Sequence, residues 1–428
     1  CRRWSGARSV LELQRLMKVC VVGSGGREHA LATVLRRHHE VVVAPGNPGI
    51  PDSVSTPATE IDADLYVIGP EAPLVAGLAD ELRAAGKLVF GPGADGARLE
   101  GSKAWMKEVL VAAGVPTARH GTFTEAEPAF DFLDTLDGLY VVKTDGLAAG
   151  KGVIVTTSLE EARAAVLDYL SGDAFGDAGR TLVIEEGLTG PEVSVLAICD
   201  GTNAVALAPA QDFKRVGDGD VGPNTGGMGA YSPVPVADQS VIDAVMNDGV
   251  LPTLAYLRSI GIDYRGVLYA GLMLTPNGPK MLEYNVRFGD PETQVVLPRL
   301  TSDLGELLAS AAAGQLGAAP TFDDGAAVTV VCAAEGYPRD VRTGDVIEGL
   351  DDAETVAGAT VFCAGVGANN QGQLVTAGGR VLTVTGQGAN LTEARQTAYE
   401  ALGKISWPGM HHRNDIASAA AATTNGGS

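Results

Sequence analysis

The segment 280–293, KMLEYNVRFGDPET, carries the side chains most suited to chemistry. It is typical of a short strand that runs into a turn, and alternate residues of a strand point to opposite faces. Glu283, Asn285 and Arg287 therefore share one face, spaced roughly 7 Å apart. Carboxylate and amide oxygens suit a hard cation such as Mg²⁺, and a neighbouring guanidinium suits an anion. Taken alone, the segment is equally compatible with a half-buried strand that has a polar outer face.

The length and charge of the chain limit its class. With 428 residues it is too long for one hydrophobic core and suggests about three domains. A composition of 45% hydrophobic and 19% charged residues is ordinary for a globular protein. The formal net charge of −21 argues against a nucleic-acid partner, which requires clustered Lys and Arg. A small phosphorylated ligand remains possible, because its pocket needs only a few cations and backbone N–H groups.

Cysteine usage indicates a reduced compartment. The five cysteines, at positions 1, 20, 199, 332 and 363, are odd in number, far apart and without a CxxC pair. They indicate neither a disulfide framework nor a zinc site, so we expect a cytoplasmic protein. No apolar run is long enough to span a membrane, and we expect no membrane partner. Residues 1–16 lack the apolar core of a signal peptide. We expect them to be a non-native or upstream extension and Met17 to be the natural start, and a short amphipathic helix is the alternative.

A glycine-rich turn follows the first predicted strand, Lys18–Val22. The sequence GSGGREHA begins at Gly23 and leads into a helical run at 31–37. Glycines at such a turn let backbone N–H groups approach an anion, so the turn predicts a phosphate cradle. An NAD site is the alternative, but Glu28 stands where the third glycine of GxGxxG belongs. The next strand also ends without an acidic residue that would hold a ribose diol.

Further strands, at 40–44, 64–68 and 87–90, alternate with helices. This order predicts a parallel sheet whose ligand loops lie at the carboxyl ends of the strands. Asn47 and Glu71 follow two of these strands. Ordinary turn chemistry explains the glycines and prolines nearby but neither of these polar residues, so the loops predict a small polar substrate site.

A glycine loop joins two predicted strands in the middle of the chain. Its sequence, TDGLAAGKG at 144–152, lacks the glycine spacing of a Walker A loop and leads into a strand instead of a helix. A flexible hairpin that carries Lys151, with Lys143 on the preceding strand, can close over a polyphosphate. For either lysine alone, a solvated surface position is the more common alternative.

Acidic residues and a long polar loop follow. The predicted strand at 181–188 contains Glu185 and Glu186, and Glu192 lies just beyond it. An extended hinge can offer backbone groups to an adenine edge, and a carboxylate can accept from ribose hydroxyls. The loop at 217–231 is rich in Gly, Asp and Asn, and loops of this length in a compact domain are usually functional or disordered.

The order of elements predicts an α/β and α+β multidomain chain. Short strands dominate from residue 326 onwards, followed by one helix at 391–404, so we predict a separate, β-rich α+β domain at 326–410. The segment 418–428 consists of small and polar residues and is predicted to be disordered.

Taken together, seven motifs resemble the phosphoribosylamine–glycine ligase (glycinamide ribonucleotide synthetase) family of the ATP-grasp superfamily. They are GSGGREHA at 23–30, PGN at 45–47, GPEAPL at 69–74, EGSK at 100–103, the glycine loop at 145–152, NTGGMGAY at 224–231 and EYNVRFGDPET at 283–293. The resemblance runs from Met17 to about Trp407. It implies an N-terminal substrate-binding (pre-ATP-grasp) domain at 17–103, an ATP-grasp domain at 104–318 with a lid at about 117–187, the C-terminal domain at 326–410 and a tail at 411–428.

The resemblance also implies an activity. Family members join glycine to 5-phosphoribosylamine in purine synthesis, with ATP and Mg²⁺ or Mn²⁺. The implied route is phosphorylation of the glycine carboxylate, then attack by the ribosylamine nitrogen on the acyl phosphate. Such chemistry needs positioning and charge neutralisation more than a protein nucleophile. The implied partners are small-molecule substrates alone, and we expect a monomer.

Carried onto this sequence, the family's site residues fall into four groups. The metal ligands would be Glu283 and Asn285. The ATP-binding group is Lys103, Lys143, Lys151, Glu185, Glu186, Leu188 and Glu192. The catalytic group is Arg287, Lys151, Asp212 and Lys214. The residues around phosphoribosylamine and glycine are Gly25, Gly26, Asn47, Glu71, Asn224, Thr225, Gly226, Gly227, Asp290, Pro291, Glu292 and Thr293.

The chain departs from the family pattern in three places. The stretch between Asn47 and Gly69 is shorter than usual, so a helix of the N-terminal domain is expected to be missing or reduced. Gly187 stands where an aromatic residue is typical near the adenine hinge. The segment His411–Ile416 is an altered version of the family's ending.

Two other functions remain open from the sequence. Another ATP-grasp carboxylate–amine ligase, or a carboxylase, would share the central region but not the motifs at 23–30 and 69–74. A non-catalytic nucleotide-binding protein would not need the metal and phosphate residues to be intact, whereas Lys143, Glu283 and Arg287 are all present.

Overall fold

The computed structural model of the protein describes residues 16–146, 152–172 and 180–425. The N-terminal region contains β1 (Lys18–Gly23), α1 (Gly26–Leu35), β2 (Glu40–Pro45), β3 (Leu65–Ile68), α2 (Glu71–Val75), α3 (Leu78–Ala84), β4 (Val89–Phe90) and α4 (Ala94–Gly101). Its four strands form a parallel sheet in the order β2-β1-β3-β4. The predicted parallel sheet is confirmed, and the loops after β1, β2 and β3 meet at its carboxyl edge.

The crossover from β2 to β3 is unusually simple. Between residues 46 and 64, all within the described part of the chain, the helical structure is limited to a 3₁₀ turn at Ala58–Glu60. Ile50 and Ile61 from this stretch are buried. The predicted loss of a helix here is confirmed, and the two isoleucines supply apolar contacts that a crossover helix would otherwise provide.

The central region is built on two four-stranded antiparallel sheets. α5 (Lys103–Ala112) precedes the lid part, which contains β5 (His120–Phe123), α6 (Ala126–Leu133), β6 (Tyr140–Thr144), β7 (Val153–Thr156), α7 (Leu159–Leu170) and β8 (Leu182–Glu186), with strand order β5-β8-β6-β7. Side chains from α6, α7 and this sheet form a small core of their own. The lid therefore has a hydrophobic cluster separate from the main core.

The second sheet has the order β10-β9-β15-β16. The elements after the lid are β9 (Glu192–Asp200), β10 (Ala204–Ala206), β11 (Gln211–Asp212), β12 (Arg215–Gly217), β13 (Val221–Asn224), β14 (Gly229–Ser232), α8 (Gln239–Val245), α9 (Leu251–Ser259), β15 (Arg265–Thr275), β16 (Gly278–Asn285), α10 (Thr293–Val296) and α11 (Leu304–Ala312). A π-helical segment, Met246–Val250, joins α8 to α9.

The C-terminal region contains β17 (Ala326–Ala333), α12 (Leu350–Glu354), β18 (Ala359–Cys363), β19 (Val366–Ala368), β20 (Leu374–Thr376), β21 (Arg380–Gly388), α13 (Leu391–Leu402) and α14 (Ser418–Asn425). Its main sheet, β11-β14-β17-β21-β18, includes two strands from the central region. The predicted domain that begins at 326 therefore shares its main sheet with the central region. β14 pairs with β17 over four residues, so the sheet crosses the predicted boundary.

The chain end is ordered beyond residue 410. α14 packs against α13, and Ile416 and Ala421 are buried. The prediction of a disordered tail is wrong for residues 418–425, because an alanine-rich segment forms a helix readily when a neighbouring helix covers it. Over the described residues, every helix is too short or too polar to cross a bilayer.

Candidate functional site

The predicted metal ligands lie on β16, the second strand of a hairpin with β15. Glu283 pairs with Gly271, and a bulge leaves Leu282 without a partner. A Cβ atom at Gly271 would lie 3.3 Å from Glu283 Cγ, so the glycine leaves room for the glutamate side chain over the sheet. Glu283 and Asn285 are both half-buried. Their two-residue spacing places their oxygens on one face, as predicted for the strand.

Arg287 follows β16 and lies in a network of carboxylates. Its Nη2 donates to Glu100 Oε1 at 2.7 Å, and its Nε donates to Glu71 Oε2 at 3.3 Å. Burial acts to lower the pKa of Arg287, but Glu100 and Glu71 outweigh it and raise the pKa. Nη2 also lies 3.5 Å from Asn285 Oδ1. The predicted metal face and the predicted anion-binding arginine are therefore contiguous.

A buried ion cluster links the lid sheet to α5. Glu185 Oε1 lies 2.9 Å from Lys143 Nζ and 3.2 Å from Lys107 Nζ. Burial acts to raise the pKa of Glu185, but the two lysines outweigh it and lower the pKa. Lys143 is 8% exposed, so it is not the solvated surface lysine of the alternative interpretation. The carboxylate of Glu185 is engaged by both lysines.

Lys107 belongs to this cluster, although it was not predicted from the sequence. Its Nζ donates to Thr117 Oγ1 at 2.8 Å, and Thr117 Oγ1 donates to Met281 O at 2.7 Å. This chain of contacts connects the lid cluster to β16, two residues before Glu283. Burial lowers the pKa of Lys107 to about 8. Its position four residues after Lys103 was the available signal, because such residues share a helix face.

Lys103 opens α5 and faces the same region. Its Nζ donates to Gly146 O at 2.8 Å. Burial lowers the pKa of Lys103, while the charge of Glu283 raises it and that of Lys143 lowers it. The structure thus brings two predicted ATP-binding lysines into electrostatic range of a predicted metal ligand. Lys151, the remaining predicted lysine, lies outside the described residues.

The predicted adenine hinge follows β8. Glu186 Oε1 accepts from the N–H of Arg119 at 3.0 Å and lies 3.2 Å from Lys280 Nζ. Leu188 is half-buried. A Cβ atom at Gly187 would lie 2.0 Å from Leu139 Cγ. Leu139 therefore occupies the space that a larger residue at position 187 would need.

Lys214 organises a second cluster of charges. Its Nζ lies 2.8 Å from Glu192 Oε2 and 3.1 Å from Asp212 Oδ1. Burial acts to lower the pKa of Lys214, but Asp212 and Glu192 outweigh it and raise the pKa well above the ordinary value. Lys214 in turn lowers the pKa of Glu192. Glu192, predicted to meet the ribose, thus lies with the predicted catalytic pair.

Glu292 adjoins this cluster and is 4% exposed. Tyr269 Oη donates to Glu292 Oε1 at 2.9 Å, and Ser194 Oγ lies 2.7 Å from Tyr269 Oη. Burial, together with the charge of Asp212, raises the pKa of Glu292 to about 7. A carboxyl group that titrates near neutral pH can take up or release a proton during a reaction. Tyr269 and Ser194 were not predicted from the sequence.

The raised pKa of Glu292 predicts a pH-dependent stability. A folded-state pKa of about 7, above the ordinary 4.5, gives stability that is full below pH 4.5 and lost as pH rises through 7. Glu292→Gln keeps the shape without the titration. We expect the difference in the free energy of unfolding, variant minus wild type, to increase by about 2 kcal/mol from pH 5 to pH 8. Urea unfolding at both pH values measures this.

The exposed Glu306→Gln serves as the control, because this residue lies on α11 in solvent. It should follow the wild-type pH trend. An identical pH trend for Glu292→Gln and wild type would contradict the raised pKa of Glu292.

A glutamate closes the glycine turn before α1. The N–H of Gly25 donates to Glu28 Oε2 at 2.6 Å, and Arg27 Nε donates to Glu28 Oε1 at 2.5 Å. A Cβ atom at Gly69 would lie 2.1 Å from Glu28 Oε1, and one at Gly23 would lie 2.6 Å from Glu28 Cδ. These glycines make room for Glu28. In this structure the carboxylate of Glu28 accepts the N–H of Gly25, and the phosphate cradle at this turn stays a prediction.

Asn47 bridges two regions of the chain. Its Nδ2 donates to Ser24 O at 2.8 Å and to Ala364 O at 3.0 Å, while its Oδ1 accepts from the N–H of Gly49 at 2.8 Å. Each of these partners is a backbone group. Asn47 therefore fixes the loop after β1 against the loop after β18.

Two residues of the C-terminal region reach the predicted substrate loops. Arg380 Nη2 donates to Asp290 Oδ2 at 2.9 Å, and its Nη1 donates to Asp290 O at 2.7 Å and Gly226 O at 2.5 Å. Tyr337 Oη accepts from the N–H of Gly226 at 3.1 Å. Burial acts to lower the pKa of Arg380, but Asp290 outweighs it and raises the pKa. Neither residue lies near a recognisable motif, so no local pattern pointed to them.

The other predicted substrate residues lie around the turn after β16. A Cβ atom at Gly227 would lie 2.6 Å from Pro291 Cδ, and one at Gly26 would lie 2.9 Å from Gln294 Nε2. Thr293 is buried, and its Oγ1 donates to a backbone carbonyl at 2.6 Å. These close approaches bring the first and last predicted substrate motifs together at one place.

The loop 224–227 is held at its base. Asn224 pairs with Arg215 at the open end of the β12-β13 hairpin. Thr225 Oγ1 donates to Lys214 O at 2.9 Å and accepts from the N–H of Gly227 at 3.0 Å. The loop therefore begins beside the Lys214 cluster and ends at the turn held by Arg380.

The chain as a whole is similar to curated phosphoribosylamine–glycine ligases. It is 48% identical over 421 residues to that of Nostoc sp., covering 94% of this chain and 99% of the relative. It is 49% identical over 420 residues to that of Escherichia coli K12, covering 94% and 98%. The phosphoribosylamine–glycine ligase of Streptomyces coelicolor is 49% identical, with 95% and 100% covered.

Solved structures show the same architecture. The crystal structure of the phosphoribosylamine–glycine ligase from Thermotoga maritima superposes with a TM-score of 0.80 at 36% identity, covering 93% of this chain and 100% of that one. A biotin carboxylase–β,γ-ATP complex from Campylobacter jejuni gives a TM-score of 0.67 at 15% identity, covering 93% of each chain. The latter likeness shows a shared fold alone.

Family models account for almost all of the chain. The N domain of phosphoribosylglycinamide synthetase matches residues 17–100, its ATP-grasp (A) domain matches 101–293, and its C domain matches 327–419. The three matches follow one another in the order of the family and cover each part of the site described above. The protein therefore belongs to the phosphoribosylglycinamide synthetase family, with an N-terminal parallel sheet, a central ATP-grasp domain and a C-terminal domain.

Proposed function

We propose that the protein is an ATP-dependent carbon–nitrogen ligase of de novo purine biosynthesis. It joins glycine to 5-phosphoribosylamine and yields glycinamide ribonucleotide, ADP and phosphate through a glycyl phosphate. The similarity to curated ligases over 94% of the chain supports this reaction. The observation that carries it in the structure is the position of Glu283, whose charge acts on Lys103 and Lys143 on one side and on Lys214 on the other. Asn285, on the same strand, lies beside Arg287.

The lysine side of the site suits the phosphates of ATP. Lys103 and Lys143 are both held by protein groups, Gly146 O and Glu185 respectively, so their ammonium groups are positioned before a nucleotide arrives. Preorganised cations stabilise a transferring phosphoryl group more than mobile ones, because they need no reordering during the reaction. The proposed role of Lys151 is to close over the same phosphates from the glycine loop.

The donor set on β16 fits a hard divalent cation. Over the residues that the structure describes, three or more His, Cys, Asp or Glu side chains are nowhere grouped as metal ligands. A carboxylate and an amide oxygen, Glu283 and Asn285, match the few protein ligands that Mg²⁺ takes when phosphates and water supply the rest. When bound, Mg²⁺ or Mn²⁺ would neutralise phosphate charge.

The glycine carboxylate would be activated between these groups. Arg287 is held by Glu100 and Glu71, and its guanidinium can neutralise an acyl phosphate beside the metal face. The ribosylamine nitrogen then attacks the acyl carbon, the carbon–oxygen bond to phosphate breaks, and phosphate leaves. Glu292, with its pKa raised to about 7 by burial and Asp212, would accept the proton that the nitrogen loses.

The acid side would hold the glycine ammonium group and the ribosylamine. Asp212 and Lys214 form an ion pair at 3.1 Å, next to the NTGG loop at 224–227. The turn that contains Asp290 closes this side, and Arg380 ties the turn to the same loop. These contacts support the placement of two small polar substrates between the loop and the turn.

An ADP-release assay with varied substrates tests the proposed function. We expect ADP only when ATP, glycine and phosphoribosylamine are present together. Release with bicarbonate, or with another amino acid in place of glycine, would favour a different ATP-grasp ligase or carboxylase. Nucleotide binding without any release would favour a non-catalytic protein.

We also propose a monomeric, cytoplasmic enzyme. Cys20, Cys199, Cys332 and Cys363 are buried free thiols, which is typical of a reducing compartment. Light scattering of the purified protein, together with thiol titration of the freshly lysed cells, measures both properties.

A further inference from the structure

A short segment near the chain end, His411–Asp415, reaches the central region and forms hydrogen bonds with the β12-β13 hairpin. We call this segment the strap and residues 215–224 the hairpin. The strap's main contact is Arg413, whose side chain is 0% exposed. Arg413 Nη1 donates to Arg215 O at 3.1 Å and to Asp220 Oδ1 at 2.6 Å. Its Nε and Nη2 donate to both carboxylate oxygens of Asp415 at 2.7 Å and 2.6 Å.

Other strap residues hold the hairpin along its length. His411 Nε2 lies 2.8 Å from Val216 O. The N–H of Asn414 donates to Asp218 Oδ1 at 2.7 Å, and its Nδ2 donates to Asp218 Oδ2 at 3.0 Å. The N–H of Gly219 donates to Asp415 Oδ2 at 2.8 Å. The strap therefore binds the hairpin at its base and at its tip.

Arg413 also contacts Phe213, the residue that precedes Lys214. Its guanidinium carbon lies 4.9 Å from the centre of the Phe213 ring. Phe213 stands between Asp212 and Lys214, and its backbone pairs with Gly229 O at 3.0 Å as in an extended strand. Because alternate residues of an extended chain point to opposite faces, a residue stacked on Phe213 fixes the direction in which Asp212 and Lys214 point.

Among the described residues, strap residues make the side-chain hydrogen bonds that hold the tip of the hairpin. Its tip residues Asp218, Gly219 and Asp220 are exposed. A glycine-rich segment loses more backbone entropy than others when it is fixed in one conformation. The strap's hydrogen bonds offset this loss, and the planar guanidinium of Arg413 can contact the hairpin, Asp415 and Phe213 at once.

We propose that Arg413 and the strap are positioning elements for the substrate side of the site, an inference that rests on the proposed ligase function. Asp212 and Lys214 precede the hairpin, and the loop 224–227 follows it. The strap holds the hairpin so that these two parts keep the spacing that glycine and phosphoribosylamine need. The strap makes no contact with the lysines of the ATP side among the residues that the structure describes.

Two variants of the full-length protein test this role. Asp220→Ala removes one carboxylate partner of Arg413. The side chain of Asp220 is 67% exposed, so the variant should still fold. Arg413→Lys retains the positive charge but loses the planar guanidinium and its several N–H donors. Asp263→Ala is the matched control, because it breaks another ion pair with a 61% exposed aspartate, away from the hairpin.

We expect faster hydrogen–deuterium exchange in peptides that cover 214–224 for Asp220→Ala and Arg413→Lys, with the control unchanged. In the ligase assay, the KM for glycine should rise about threefold to tenfold, while the KM for ATP stays within about twofold. Unchanged exchange and an unchanged KM for glycine in Asp220→Ala would overturn the proposal, as would an equal rise in both KM values. If Arg413→Lys fails to fold, Asp220→Ala decides alone.

Failure of the proposed function would be recognised separately. It would appear as wild-type protein that releases no ADP with glycine and phosphoribosylamine. The hydrogen–deuterium exchange comparison would then still decide whether the strap orders the hairpin. An unchanged exchange rate in Asp220→Ala would overturn this ordering role.

Discussion

Glu283→Ala is expected to lower the turnover of glycine-dependent ADP release about a thousandfold, while ATP still binds. The carboxylate faces the metal side of β16 over Gly271 and interacts with the charge of Lys103. Removing it takes away a charged metal ligand, and losses of one group that stabilises transition-state charge commonly reach this size. Single-turnover kinetics and a titration with a fluorescent ATP analogue measure the two quantities.

Asn277→Ala is the matched control, since Asn277 is exposed in the turn of the same hairpin. It should leave turnover near wild type. Wild-type turnover in Glu283→Ala would remove Glu283 from the metal site. Loss of ATP binding in the same variant would instead assign Glu283 to nucleotide affinity.

Arg287→Met is expected to reduce turnover at least about a hundredfold and to lower the free energy of unfolding by about 3 kcal/mol. The stability loss arises because Glu100, whose side chain is 8% exposed, would keep its place beside Val286 N–H without a cation. The turnover loss arises because no other described guanidinium lies within hydrogen-bond reach of Asn285.

The double variant Arg287→Met with Glu100→Gln separates the two effects. A neutral amide at position 100 can still accept from Val286 N–H, so most of the stability should return. Turnover should stay low, because the anion-binding group remains absent. Recovery of turnover along with stability would show that Arg287 acts only through the fold, contrary to the proposed role.

Local sequence signals predicted the elements that carry short-range patterns. The strand that carries Glu283 and Asn285 and the parallel N-terminal sheet follow from apolar runs and turn residues. The shortened β2–β3 crossover follows from the family resemblance, because the segment is shorter than the family's usual length. The position of Glu283, Asn285 and Arg287 on one face of the chain follows from the two-residue period of a strand.

Groups that come together from distant parts of the chain could not be predicted in this way. Arg380 reaches Gly226 across the β14-β17 pairing, which joins the central and C-terminal regions. Lys107 joins Glu185 because α5 packs beneath the lid sheet. Glu28 was interpreted as a missing glycine, whereas it closes the turn that the glycines leave open. Such contacts depend on tertiary packing, and no local pattern encodes them.

The fate of the glycine carboxylate oxygens tests the central claim most directly. Glycine labelled with ¹⁸O in both carboxylate positions is incubated with the enzyme, ATP and phosphoribosylamine, and the phosphate formed is analysed by mass spectrometry. A glycyl phosphate intermediate requires that one ¹⁸O pass to phosphate in each turnover, because the acyl carbon–oxygen bond breaks when the amine attacks. Phosphate that forms at the same rate as ADP but carries no ¹⁸O would contradict the proposed reaction.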